Sequence, residues 1–224
     1  MANIVIAIDG VVGSGKSTTA RLVAETLGYR HLDTGAMYRA VALAARRQGI
    51  ESEDERALAD LLPTLHIDLL PSDQGASVML NGEDVSEEIR RPETARCVGR
   101  FADRPIVRRA LVTRQQTLGA RGGVVAEGRD MGLVVFPNAE LKVRMVANLD
   151  VRTQRRLDEL VAKGIDTCFD EVRTDIAERD REDAQRDYGG DGVAADYLDV
   201  DTTNMNLAQQ VATVVDLARQ RGAQ

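Results

Sequence analysis

The chain has 224 residues, 43% hydrophobic and 29% charged, which suffices for one substantial core and is ordinary for a globular protein in water. A net charge of −7 and an aromatic share of 3% argue against a nucleic-acid-coating or base-stacking protein. No apolar run reaches the roughly 20 residues of a membrane helix, no signal-peptide pattern opens the chain, and Cys97 and Cys168 form no metal or redox pair; a cytoplasmic monomer is the expectation.

"NIVIAID" (3–9) predicts a fully buried strand, and the Gly-rich turn after it leads into a helix, "KSTTARLVAETLG", with Ala20, Val23, Ala24 and Leu27 on one face. "YRHLD" (29–33) predicts a second strand, and Thr34 an N-cap for the helix "GAMYRAVALAARRQ", which Gly49 closes. Strand–helix–strand–helix is the start of an α/β sheet. The pattern then changes. A short helix, "SEDERALADLL", ends at Pro63, and short strands at about 64–86 are separated by the turns "PSDQG" and "NG", which predicts a small antiparallel insert. Two helices follow, "PETARCVGRFA" and "PIVRRALVTRQQTLG", the second with Ile106, Val107, Ala110, Leu111 and Leu118 as its apolar face. The α/β frame resumes with a buried strand at Val124–Ala126, ending on Glu127, and another at 139–147. A helix capped by Asp150 and stopped by Gly164 comes next, then a charged helix from Cys168, a loop "YGGDG" (188–192), a last strand at 195–203 and a last helix, "LAQQVATVVDLARQ". No repeat, low-complexity segment or domain linker interrupts the chain.

"GVVGSGKST" (10–18) fits G-x-x-x-x-G-K-[ST], with the required strand before it and helix after it. In such a loop glycines let backbone N–H groups curl round a phosphate, and the helix N-terminus adds its dipole. Lys16 would reach the β- and γ-phosphates, Ser17 would ligate Mg²⁺, and Gly10, Gly13, Ser14, Gly15 and Thr18 complete a loop for ATP or GTP. No Asn/Thr-Lys-x-Asp motif surrounds the remaining lysines, Lys142 and Lys163, which excludes an ordinary GTPase switch; the chain is short for a motor ATPase. A compact kinase remains. It needs cations facing an acceptor, and only three of the 29 basic residues are lysine. Arginine grips phosphate bidentately where lysine acts as a point charge. Arginines stand in "TGAMYR" (34–39), "VRRA" (107–110), "EGRD" (127–130) and "ERDREDAQR" (178–186).

The segments "LDTGAMYRAVAL" (32–43), "LNGEDVSEEIR" (80–90), "EGRDMGLVVFPNAELKV" (127–143) and "ERDREDAQR" (178–186) resemble those of bacterial cytidylate kinases, over nearly the whole length. The resemblance implies one P-loop kinase domain over 1–224, with a five-stranded parallel sheet flanked by helices. It also implies an acceptor-binding region at about 53–103, carrying the antiparallel insert, and a LID at about 150–190. The implied reaction moves the γ-phosphoryl of ATP to CMP or dCMP with Mg²⁺. Thr34, Tyr38, Arg39, Arg108, Arg129, Asp130, Arg179, Asp183 and Arg186 would bind CMP. Arg152, Arg155 and Arg156 stand where the family has its LID arginines and would meet ATP phosphates. Lys16, Arg129, Arg152, Arg155 and Arg179 would then be the catalytic cations. Two departures stand out: Val11 and Val12 replace the family's Pro-(Ser/Ala), and Gly99 stands where a Ser is expected, so that reading of the base would be weaker or done by water.

The acceptor is already an anion near neutral pH, so no general base is required. Glu127 or Asp33 would hold Mg²⁺ through water, or Asp33 would cap a helix. Other readings are a kinase for UMP, shikimate or a sugar acid, a nucleotide-binding regulator without turnover, and a nucleic-acid-binding ATPase. The partners expected are ATP and CMP or dCMP alone, with neither nucleic acid nor membrane.

Overall fold

The computed structural model describes residues 3–72, 75–185 and 196–223, without the side chains at 71, 72, 75 and 76. The "YGGDG" loop, Arg186 and part of the "PSDQG" turn lie outside the described residues. The strands are β1 Val5–Gly10, β2 Arg30–Asp33, β3 Ile67–Ser72, β4 Gly75–Leu80, β5 Glu83–Asp84, β6 Val124–Gly128, β7 Leu141–Val146 and β8 Tyr197–Asp201. The helices are α1 Lys16–Leu27, α2 Thr34–Arg47, α3 Glu55–Leu61, α4 Pro92–Ala102, α5 Pro105–Gly119, α6 Leu149–Ala162, α7 Phe169–Gln185 and α8 Leu207–Gln220. They form an α/β fold with a five-stranded sheet, order β2-β6-β1-β7-β8, and an antiparallel three-stranded sheet, β3-β4-β5. Two compact units emerge, one of Met1–His31 with Gly122–Gln224, the other of Leu32–Arg121.

In the first unit β1 pairs in parallel with β6 on one side and β7 on the other, and β7 with β8. The chain thus crosses over β1 between β6 and β7, and the crevice outside the carboxyl end of such a strand is where α/β sheets take ligands. Register brings the site residues level: Ile8 stands opposite Glu127, Asp9 opposite Gly128, and Gly10 opposite Met145. β1 is buried on both faces, as the unbroken apolar run predicts. Ile4, Ile6 and Ile8 pack with Ala20, Val23, Ala24 and Leu27 of α1 and with Val214, Val215 and Ala218 of α8. The alternate residues, Ala7 and Asp9, are buried as well. Truncating Ile8, which is wholly buried, removes a side chain from the middle of this layer. Ile8→Ala is expected to cost about 2–5 kcal/mol, read as a lower urea midpoint at unchanged m-value.

In the second unit α2 is buried nearly all round, at Ala36, Met37 and Ala40 through Ala45, and packs on α4, α5 and β4. A helix apolar on every side belongs inside a core. The β4–β5 hairpin turns at Asn81 (φ 51°) and Gly82 (φ 84°), the pair of left-handed residues that an Asn-Gly turn supplies. Arg47, at the end of α2, bonds both carboxylate oxygens of Glu83 at 2.7 and 2.8 Å and also Glu88, tying the hairpin down.

Three local expectations are corrected. The N-cap of α2 is Asp33, whose carboxylate accepts from Ala36 N at 2.8 Å, and Thr34 is the first helical residue. Asn148 caps α6 in the same way through Val151 N, displacing Asp150 into the first turn. On α5 the buried positions are Val107, Leu111, Gln115 and Gly119, while Ala110 is exposed.

Candidate phosphate-binding site

The loop Gly10–Thr18 joins β1 to α1 at the carboxyl end of the sheet. Gly13 (φ 75°) and Gly15 (φ 90°) hold left-handed backbone, and a Cβ on either would lie 2.9 Å from Arg152 or 2.6 Å from Gln210 Oε1. Only glycine fits this curl. Gly15 is the N-cap of α1 and offers no side chain to its first-turn amides, nor is any acidic residue in that turn. Uncapped amides with a positive dipole end form an anion site. Lys16 arches back over the loop, its Nζ 3.3 Å from Val11 O.

The loop is braced by residues far away in sequence. Thr202 Oγ1 donates to Ser14 O at 2.9 Å, and Thr19 Oγ1 donates to Gln210 Oε1 at 3.0 Å. Neither Thr202 nor Gln210 carries a sequence signal, since their partners lie some 190 positions upstream. Asp9, also unread in the sequence, is 4% exposed and accepts from Met131 N and Gly132 N at 2.9 and 3.1 Å. Met131 and Gly132 open a π-type turn, Met131–Val135, that follows Arg129 and Asp130.

Ser17 Oγ donates to Glu127 Oε2 at 2.5 Å, and His31 Nε2 lies 3.3 Å from Glu127 Oε1. A hydroxyl beside a carboxylate is a hard oxygen donor set of the kind Mg²⁺ takes, so the residues fit that ion. No cluster of three or more His, Cys, Asp or Glu among the described residues would hold a metal unaided. Asp33, the other acid considered for the ion, serves as the α2 cap and lies 3.3 Å from Arg39 Nη2.

The candidate arginines of the first unit fall into two groups. Arg152 and Arg155 are built into the loop's support. Arg152, 6% exposed, donates to Ala147 O and Val12 O and pairs with both oxygens of Asp180, at 3.1 and 2.7 Å. Arg155 donates to Thr202 O at 2.7 Å and to Gly13 O at 3.4 Å, and burial pushes its pKa down. Arg129, Arg156 and Arg179 are less committed. Arg129 donates to Gly10 O at 2.7 Å and stands 3.1 Å from Asp183. Arg156 meets Glu159 at 2.9 Å. Arg179 is exposed as a residue, yet lost solvent around its guanidinium, then the like charge of Arg156 and, more weakly, of Arg129, push its pKa down. Cations that repel one another in this way favour a polyanion between them. Asp130 is 4% exposed, and its carbonyl accepts from Val134 N at 2.9 Å.

The remaining described residues expected to bind the acceptor belong to the second unit, Leu32–Arg121. Thr34 is buried at the start of α2, with half-buried Tyr38 and Arg39 one turn on, and Arg108 is half-buried on α5. The buried Nε of Arg39 has no acceptor among the described residues. Gly99 lies on α4, four residues from Asp103, whose N–H it accepts at 3.0 Å.

Comparison with known proteins follows the same lines. The family model described as cytidylate kinase matches residues 6–220. A cytidylate kinase from Geobacillus sp. (strain WCH70) is 40% identical over 98% of this chain and 98% of its own. One from Bacillus subtilis (strain 168) is 41% identical over 96% of each. Among solved structures, a gluconokinase from Sinorhizobium meliloti 1021 aligns with TM-score 0.50 at 16% identity, covering 98% of this chain and 94% of that one, a likeness of fold alone.

Proposed function

The chain belongs to the cytidylate kinase family and is a nucleoside monophosphate kinase, a phosphotransferase; from that premise we propose that it moves the γ-phosphoryl of ATP to CMP and dCMP with Mg²⁺. The observation that carries the reading is the uncapped, glycine-curled start of α1 with Lys16 arched across it. In the reaction an oxygen of the acceptor phosphate forms a bond to the γ-phosphorus as the bond to the β-phosphate oxygen breaks and ADP leaves. Negative charge spreads over the transferred oxygens, so the work is positioning and neutralisation.

Gly10, Gly13, Ser14, Gly15, Ser17 and Thr18 hold the donor phosphates in this proposal, and Lys16 follows the charge onto the β–γ bridge. Arg129, Arg156 and Arg179 surround the transferred group. Arg152 and Arg155, expected to meet the ATP phosphates, bond carbonyls of the loop, and their protein partners support a bracing part for both. Thr34, Tyr38, Arg39, Arg108, Asp130, Asp183 and Arg186 are assigned to the acceptor in this proposal, the last three to its sugar or base. The unpartnered Nε of Arg39 supports a phosphate there. Ser17, with Glu127 through water, would hold the Mg²⁺, which when bound neutralises charge on the β- and γ-phosphates. The region 53–103 is taken as the acceptor-binding part and 150–190 as the LID. Free Cys97 and Cys168 support a reducing, cytoplasmic setting. Among the described residues no helix is long and apolar enough to cross a membrane.

The test is ADP release with ATP and Mg²⁺ against CMP, dCMP, UMP, AMP, GMP and shikimate in turn. Turnover with CMP and dCMP far above the others is expected. Preference for another acceptor would overturn the assignment of the acceptor residues, and ATP binding without any turnover would overturn the enzyme reading.

A further inference from the structure

Tyr197 stands at the start of β8, an edge strand of the sheet, and belongs to none of the groups described above. Its hydroxyl donates to Asp9 Oδ2. Asp9 is thus a three-way acceptor, taking the phenol and the two amides of Met131 and Gly132. It immediately precedes Gly10, the first glycine of the loop, and the turn it holds immediately follows Arg129 and Asp130. Arg129 in turn reaches Gly10 O at 2.7 Å. One buried carboxylate therefore joins the root of the phosphate loop to the turn that presents the arginine.

The fit around the turn is close. A Cβ on Gly132 would lie 2.5 Å from Tyr197 Oη and 2.9 Å from Lys142 Cδ. Lys142 is buried on the other side, its Nζ 2.7 Å from Asp196. Burial drives the Asp9 carboxyl upward, and burial with the Asp9 charge drives the Tyr197 phenol upward, so the phenol stays protonated and remains a donor. A buried carboxylate needs donors to stay ionised, and an ionised acceptor holds amides about twice as firmly as a neutral one. Removing the phenolic hydroxyl leaves Asp9 poorer in donors and weakens its grip on both amides.

We propose that Tyr197 is a positioning residue for phosphoryl transfer, acting through Asp9 to fix the Met131–Val135 turn and so the guanidinium of Arg129. The inference rests on the role proposed above for Arg129. Transfer is sensitive to small displacements of a charge-stabilising group, so a loosened turn lowers turnover without emptying the ATP site.

The test is Tyr197→Phe in the full chain, which keeps the ring and its packing. The expected result is a kcat about tenfold lower with the KM for ATP within about twofold. With no substrate present, the amides of Met131 and Gly132 should exchange with deuterium at least about tenfold faster at a melting temperature close to wild type. Gly132→Ala, which pushes the phenol aside while keeping its hydroxyl, should show the same split. Wild-type kcat in Tyr197→Phe overturns the proposal, and so does faster exchange with kcat unchanged, since Tyr197 then serves the fold alone. Arg129→Ala measured alongside separates the two readings. Intact turnover there overturns the role of Arg129, whereas a crippled Arg129→Ala beside a wild-type Tyr197→Phe overturns the role of Tyr197 only.

Discussion

Lys16→Ala is expected to lower kcat about 10²–10³-fold, while circular dichroism and melting temperature stay near wild type. Lys16 is the first residue of α1, half-buried, with its Nζ 3.3 Å from Val11 O. That contact joins a flexible cation to one carbonyl of its own loop, so losing it removes little from the fold. Removing the cation from the transferring phosphate is a different matter. One preorganised charge aimed at developing charge is worth about 3–4 kcal/mol, and each 1.36 kcal/mol is tenfold in rate. Lys16→Arg should not restore the rate, because the wide guanidinium fork does not fit where a compact ammonium threads between loop and phosphates. ADP release with CMP, beside a thermal melt, checks both halves. A variant within tenfold of wild type would remove Lys16 from the mechanism.

The phosphate loop was legible because its chemistry is local. Glycines that curl, a lysine and a serine at fixed offsets, a strand before and a helix after all lie within some 25 residues. The parallel frame was legible for a similar reason, since β1 is apolar at every position from Ile4 to Ile8 and buried on both faces. The caps were misread by one or two residues. Asp33 and Thr34 are both good caps, and the choice falls to the residue whose backbone is still extended as β2 ends, Asp33 at φ −76°, ψ 91°. On α5 apolarity pointed to Ala110, but the buried stripe runs at four-residue spacing through Val107 and Leu111 to Gln115 and Gly119, neither of which reads as core. The bracing of the loop was not legible at all. Thr202, Gln210 and Tyr197 meet the first 20 residues through contacts about 190 positions apart, and no spacing in one sequence encodes that meeting. The same holds for Arg152, to which the family resemblance gave a phosphate contact and which pairs with Asp180 and bonds Val12 O.

That last contrast makes Arg129 the sharper probe of the cationic site. Arg129→Ala is expected to lower kcat by about 10²–10³-fold and to leave most of the fold's stability in place. The side chain is 25% exposed and its partner Asp183 14%, so the ion pair is partly open to water. Its loss should cost on the order of 1 kcal/mol. The bond from Arg129 to Gly10 O keeps the guanidinium beside the first residue of the phosphate loop. Arg129→Lys keeps a charge but gives up the fork, and should recover only part of the rate, because one ammonium cannot hold the Gly10 carbonyl and face a phosphate along two parallel bonds. If the loss falls mainly on kcat, with the KM for ATP moved less, the contact is made in the transition state; if KM for CMP alone rises, Arg129 is an acceptor anchor. Near-normal turnover on CMP in Arg129→Ala would sink both, and the cationic site would then have to be built from Arg156 and Arg179 without it.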